Sequence, residues 1–181
     1  MTAKHTEKAF EEAIVAGLLA RGWVPGDPGA FDPERGLTPD DFFTFLAASE
    51  PTLWADLQKQ HGPALRPALL DTLVKTLASH GTLHVLRRGF KFFGKLIPCA
   101  TFKPAHGLNP DILAAYARNR LVVTRQVHFA VGKDDSIDLL LSLNGLPIAT
   151  AELKNPFTGQ TALHAIAQYR KRDPGAALFR F

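Results

Sequence analysis

The chain has 181 residues, is 46% hydrophobic and carries a formal net charge of +4, with a pI near 9.4. That composition supports a globular core and excludes a disordered or low-complexity chain. One cysteine, Cys99, excludes an intrachain disulfide framework and a cysteine-based zinc site, and no apolar run has membrane-spanning length.

The N-terminus shows no basic-plus-apolar leader, so a reducing cytoplasm is the expected compartment. Thr6 to Ala20 predicts an amphipathic helix whose apolar face carries Phe10, Ala13, Ile14, Gly17 and Leu18. Glu7 projects onto the edge of that face, Glu11 onto its flank, and Glu12 onto the far side. Residues 22–37, rich in Gly, Pro and Asp, predict a loop. Thr38-Pro39-Asp40-Asp41 is a helix start: a capping residue, a proline at the first position and acids in the first turn. The helix that follows carries Phe42, Phe43, Phe45 and Leu46 and stops before Pro51. A short helix is expected over Thr52 to Gln60. Another is expected over Pro63 to Ser79, with Leu65, Leu69, Leu73 and Leu77 as its stripe and Gly81 after its end.

Beyond Gly81 the pattern changes. Thr82 to Arg88 and Phe90 to Ile97 predict two short strands of a hairpin, with Gly89 and Gly94 as punctuation. Asn109-Pro110 starts a helix to about Arg118. Leu121 to Ala130 predicts a strand, and a turn over Gly132 to Asp135 leads into the next strand, which holds Asp138. Asn144-Gly145 turns that strand into a second one, which carries Glu152 and Lys154 and is broken by Asn155-Pro156. Thr161 caps a helix to about Arg172, ended by Asp173-Pro174-Gly175. Ala176 to Phe181 turns apolar again and reads as a starting strand, as though the chain were a piece of a longer one.

Charge is unevenly spread: the first sixty residues carry about −5 and the remainder about +9. The basic part holds Ser136 to Lys154, SIDLLLSLNGLPIATAELK. Burying an unpaired charge is costly, so Asp138, Glu152 and Lys154 inside apolar strand runs point to a site. Two converging carboxylates can hold a divalent cation, and oxygen ligands favour magnesium or manganese over zinc. A nearby lysine can orient or stabilise an anionic group. This is the layout of a metal-dependent nuclease of the PD-(D/E)xK type, and phosphate affinity from lysines and arginines makes nucleic acid its natural partner.

Register decides whether the carboxylates meet. A two-residue loop at Asn144-Gly145 pairs Leu143 with Leu146 and sets Asp138 opposite Ala151, with Glu152 on the other face. A three-residue loop or a bulge pairs Leu143 with Pro147 and sets Asp138 opposite Glu152. The metal-site reading predicts the longer loop or the bulge. Glu7 is the preferred third ligand, ahead of Glu11. In the helix after Lys154, Ala162, Leu163, Ile166 and Tyr169 form the expected core face. His164, Gln168 and Arg172 line the opposite face, with Lys171 beside them. Gln168 is the candidate nearest the scissile group, and His164, Arg170, Lys171 and Arg172 are the candidate DNA contacts. Cys99 follows Pro98 in an apolar stretch and is expected to be packed rather than reactive. No phosphate-cradling Walker loop is present.

The runs TEKAFEEAI, LHVLRRGFKFFG, FKPAHGLNP, NRLVVTRQVHF, SIDLLLSLNGLPIATAELKNPFTGQT and AIAQYRKRDP together resemble the N-terminal nuclease domain of the restriction (motor) subunit of type I restriction-modification enzymes. The resemblance spans nearly the whole chain and is most specific from Asp138 to Arg172. It implies an α/β fold: a restriction-endonuclease-like PD-(D/E)xK core, with a mixed sheet flanked by helices and a helical N-terminal part. The whole chain, 1–181, is then one nuclease domain, mainly helical over 1–80 and sheet-based over 81–181. It implies cleavage of double-stranded DNA with magnesium, Asp138 and Glu152 as metal ligands, Lys154 as the catalytic lysine, and Glu7 or Glu11 completing the acidic set. The family's QxxxY motif is matched at Gln168, but Arg172 stands where its tyrosine would be and Tyr169 lies elsewhere. The resemblance further implies methyltransferase and specificity subunits as partners, and an ATP-driven helicase motor that this chain lacks. Two rivals remain: a stand-alone repair or recombination nuclease with the same core, and a non-catalytic DNA-binding or assembly module with a degenerate site.

Overall fold

The computed structural model describes residues 7–154 and 162–181. The capping residue Thr161 and the strand-breaking Asn155-Pro156 lie outside the described residues. The elements in chain order are α1 (Glu7–Leu19), β1 (Val24–Pro25), α2 (Pro39–Ser49), α3 (Pro51–His61), α4 (Leu65–His80), α5 (Thr82–Arg88), β2 (Phe90–Phe92), β3 (Lys95–Ile97), α6 (Pro110–Ala117), β4 (Leu121–His128), β5 (Ser136–Leu143), β6 (Leu146–Ala151), α7 (Ala162–Lys171) and α8 (Ala177–Arg180). They divide between two compact units interleaved in sequence. The first takes the chain up to Gly36 with Leu121–Ser142 and Pro147–Arg180; the second takes Leu37–Arg120 with Leu143–Leu146 and Phe181.

The first unit is the α/β part expected from the sequence. Its sheet has the order β1-β4-β5-β6. β1 pairs parallel to β4, Val24 with Val122 and Pro25 with Val123. The two-residue loop between β5 and β6 makes them antiparallel, so the sheet is mixed. Residues 22–37 are therefore more than the loop expected: two of them form an edge strand, which tolerates Pro25 because an edge leaves one side of the backbone unpaired. Helix α1 packs Ile14, Val15 and Leu18 against Val123, Leu139 and Leu153. A second cluster joins Phe31, Val127, Phe129, Ile137 and Leu140 to Leu178 of α8. The tail is thus a helical turn rather than a strand, preceded by a turn in which Asp173 accepts from the Gly175 amide at 2.8 Å, and Leu178 fills the cluster. A six-residue apolar run is too short for periodicity to separate the two forms.

The second unit is helical, with a small hairpin. Its core sets Leu69, Leu73 and Leu77 of α4 among Phe42, Phe43, Leu46, Leu57, Phe90 and Phe92. Thr82 to Arg88 is a helix, not the strand expected. Its backbone bonds run four residues back, the Val85 amide donating to the Gly81 carbonyl at 3.2 Å, and Val85 and Leu86 are buried. Gly81 and Gly89, both at positive φ, close the ends of α4 and α5 by donating to Leu77 and Val85 carbonyls at 2.8 Å. The hairpin lies instead within Phe90 to Ile97, turning at Phe93-Gly94, with Lys91 opposite Leu96.

The Leu143–Leu146 turn belongs to this second unit and is locked there. Asn144 is fully buried. Its amide donates to the Arg120 carbonyl at 2.9 Å, its Oδ1 accepts from the Arg120 amide at 2.7 Å, and its Nδ2 donates to the Cys99 carbonyl at 2.9 Å and Asn119 Oδ1 at 3.0 Å. A Cβ on Gly145 would stand 2.3 Å from the Thr38 carbonyl oxygen, so only glycine fits.

Candidate active site

Asn144 and Gly145 have φ of 52° and 82°, the two left-handed residues of a type I′ turn. The loop is therefore the two-residue one, and it sets Asp138 opposite Ala151. The longer loop or bulge that the metal-site reading predicted is absent here. The two carboxylates approach by another route: β6 ends at Ala151, and the next residues leave the ladder and fold against Asp138. The Leu153 amide donates to Asp138 Oδ2 at 2.6 Å. Leu153 enters the apolar cluster beneath α1, and Glu152 turns inward.

Glu152 is the centre of the cluster. Its side chain is 1% exposed and pairs with Arg172, whose side chain is 7% exposed. Burial raises its carboxyl above the ordinary value, Arg172 opposes that, and the Asp138 charge adds to it; Lys154 lowers it. Asp138, held by the amide between Glu152 and Lys154, is thus collected with both at one place in the first unit. Arg172 also donates to the Ser136 carbonyl at 2.8 Å and lies 4.7 Å over the Phe129 ring and 5.7 Å over that of Tyr169. The Tyr169 hydroxyl donates to Thr150 Oγ1 at 2.9 Å. Burial raises its pKa, and the Thr150 bond opposes that rise.

This geometry corrects the orientation of α7. Leu163 is 74% exposed and Ile166 is also exposed, whereas Ala165, Gln168, Tyr169 and Arg172 face inward at i, i+3, i+4, i+7. One buried ion pair outweighs the apolar periodicity: leaving Glu152 uncompensated would cost more than exposing two aliphatic side chains. Arg172 is consequently no DNA contact, since its charge is spent on Glu152. His164, Arg170 and Lys171 remain on the exposed side, and Gln168 is half-buried.

The α1 carboxylate also differs from the expectation. Glu11, not Glu7, is buried and reaches the sheet. It lies on the stripe Glu11, Ile14, Val15, Leu18 that packs on the strands, a rotation of the predicted face that leaves Phe10 exposed. Glu11 pairs with Arg125 and accepts from Gln126 Nε2 at 3.1 Å. Gln126 also donates to Asp138 Oδ1 at 3.4 Å and accepts from Ser136 Oγ at 3.4 Å. It sits at φ 49°, the one left-handed residue in β4, and so aims its side chain between two acids. Sequence reading missed Gln126. Its signal was the polar Thr124-Arg125-Gln126 interrupting the valines of β4. Among the described residues no group of three His, Cys, Asp or Glu side chains is close enough to hold a metal ion, so the α1 carboxylate does not join the Asp138–Glu152 pair as a third ligand. Cys99 is buried, and burial pushes its thiol up to about 12, which leaves it unreactive.

All four residues of the proposed catalytic set, Asp138, Glu152, Lys154 and Gln168, fall within residues 101–181. This stretch matches the family model described as the type I restriction enzyme R protein N terminus. The match takes in the sheet from β4 onward and both helices after it. No curated protein and no solved structure matches the chain. No helix among the described residues is long and apolar enough to cross a membrane.

Proposed function

We propose that this chain is the metal-dependent endonuclease domain of a type I restriction enzyme, hydrolysing phosphodiester bonds of double-stranded DNA. The observation that carries the reading is the pairing of Asp138 with Glu152 beside Lys154, inside the stretch that matches the restriction-enzyme family. The donor chemistry fits a hard cation. Both groups are carboxylates, their mutual repulsion is what a divalent ion relieves, and magnesium needs only one or two protein carboxylates, with water and phosphate completing its shell. Asp138 and Glu152 would hold it, and its bound charge would lower the pKa of water and offset charge on the phosphate.

The chain's own residues supply the rest. Lys154 acts as a point charge that orients the anionic group. Gln168 stands on the inward side of α7, and Arg170, Lys171 and His164 on its outer side track the phosphates. Leu153 N and Gln126 fix the rotamer of Asp138. Nothing in the sequence resembles a base-reading helix or finger, so target choice is assigned to a separate specificity subunit, with a methyltransferase subunit as a further partner. ATP is used by a helicase motor elsewhere in the full protein, and the complex works in the cytoplasm.

One observation favours a second reading. Arg172 already provides Glu152 with a cation, as a degenerate site in a DNA-binding or assembly module would. Calorimetric titration of magnesium into the wild type, Asp138→Asn and Glu152→Gln separates the two. The nuclease reading expects binding in the wild type and its loss in both variants, followed by magnesium-dependent nicking in the full-length protein. Equal binding in all three, or none in any, assigns the chain to the degenerate module.

A further inference from the structure

The basic charge of the second unit is concentrated in a single stretch. From Thr72 to Pro110 there is no Asp or Glu, while six lysines and arginines and three histidines occur there. This stretch builds the end of α4, α5 and the β2–β3 hairpin. Arg87, Arg88 and Lys91 are exposed, and none is held in an ion pair among the described residues. Lys91 pairs across the ribbon with Leu96, which places both on its outer face; Leu96 is also exposed.

The turn of the ribbon is Phe93-Gly94, with φ of 45° and 79°. Both residues are left-handed, as a type I′ turn demands, and the first position of such a turn favours Asn, Asp or Gly. The same chain meets that demand with Asn144-Gly145 in its other two-residue hairpin. A phenylalanine there is strained, because its Cβ and ring crowd the backbone at positive φ. Its ring is nevertheless 76% exposed. An exposed apolar side chain alone is ordinary. One placed where the backbone disfavours it, and where burial gives little in return, is retained for something other than folding. His61 and Phe92 stand 4.8 Å from the Phe93 ring, centroid to centroid, and hold it in place at the tip.

We propose that the β2–β3 hairpin is a DNA-contacting element, with Arg87, Arg88 and Lys91 on phosphates and the Phe93 ring against base faces. A two-stranded ribbon fits a DNA groove in width, and apolar wedges between base steps and aromatic platforms for bases are established uses of such a ring. The charge complementarity is with a polyanion, and the apolar tip adds what a purely electrostatic contact lacks. The element lies within the second unit and does not depend on whether the carboxylate site cuts.

The test uses the full chain in EDTA, so that cleavage plays no part, and reads binding of a short duplex and of its single strand by fluorescence anisotropy across a salt series. Phe93→Asn recreates the Asn-Gly turn and is expected to keep or raise the melting temperature. It should weaken DNA binding about tenfold, with an unchanged salt slope. Arg88→Gln with Lys91→Gln is expected to weaken binding and to reduce the salt slope on duplex by about two. Wild-type affinity of Phe93→Asn for both DNA forms would overturn the proposal, as would an unchanged slope in the double variant. Either outcome leaves the magnesium titration of the carboxylate site unaffected.

Discussion

Replacing Arg172 tests the electrostatic core of the candidate site. Arg172→Met keeps most of the side-chain volume over Phe129 but removes the charge from Glu152. The pair is almost fully buried, at 7% and 1% exposure, and removing one partner of such a pair costs about 3–5 kcal/mol. Lost contacts to the Ser136 carbonyl and Phe129 add to this, whereas proton uptake by Glu152 offsets part of it. A net loss of about 3 kcal/mol corresponds to a melting temperature roughly 6–12 °C lower for a chain of this size. Urea denaturation at neutral pH measures it. Combining Arg172→Met with Glu152→Gln should be less damaging than Arg172→Met alone, because no charge is then stranded. Magnesium should stabilise Arg172→Met by about 2.7 kcal/mol at a hundred times its dissociation constant for that variant, and the wild type by less at the same concentration. A loss within about 0.5 kcal/mol for Arg172→Met would refute the reasoning; a missing magnesium effect with the loss present would count against the metal reading alone.

Three further perturbations address the surrounding architecture. Burial raises the Glu152 carboxyl above its ordinary 4.5, so the folded chain holds that proton more tightly than the unfolded chain. The Glu152 contribution to stability is therefore fully present below 4.5 and is lost as pH rises from there through the raised value. Glu152→Gln should flatten that part of the stability–pH curve, and parallel curves for the two proteins would contradict it. Glu11→Gln should cost about 1–3 kcal/mol by loosening Arg125 and Gln126, whereas Glu7→Gln should stay within about 0.5 kcal/mol; thermal melts rank the two. Asn144→Ala removes the side-chain partners of Arg120 N and the Cys99 carbonyl and places alanine at φ 52°. It should cost about 3 kcal/mol in urea, with Gly145→Ala worse because of the clash with Thr38.

Much of the architecture follows local rules that a sequence displays. Thr38-Pro39, Asn109-Pro110 and the leucine stripe of α4 mark their helices because start signals and periodicity act within a few residues, although the Thr38 side chain makes no capping bond. Asn109 accepts from the amides of Asp111 and Ile112, the cap its side chain is suited to. The failures lie where local signals are short or contradictory. Seven residues between two glycines hold too little pattern to separate α5 from a strand. Val24-Pro25 is invisible without its partner β4, since a proline in a two-residue strand makes sense only at an edge. At the hairpin, the Asn144-Gly145 dipeptide stated its own geometry. The longer loop was preferred only because it aligned two carboxylates, and the turn chemistry prevailed because four buried hydrogen bonds of Asn144 enforce it.

The site was legible as charge in the wrong place and illegible as geometry. Asp138, Glu152 and Lys154 stood out because apolar strands reject such groups. What gathers them is a backbone departure after Ala151 and a helix turned by an arginine, neither of which has a periodic signature. Arg172 also constrains how the site can work. A carboxylate as buried as Glu152 requires a cation, and in this arrangement the guanidinium provides it. A divalent ion drawn to Asp138 and Glu152 therefore competes with Arg172 for the same charge, and the two occupancies are thermodynamically linked. Whatever strengthens the seating of α7 through Arg172, Tyr169 and Thr150 must weaken metal binding by the same factor.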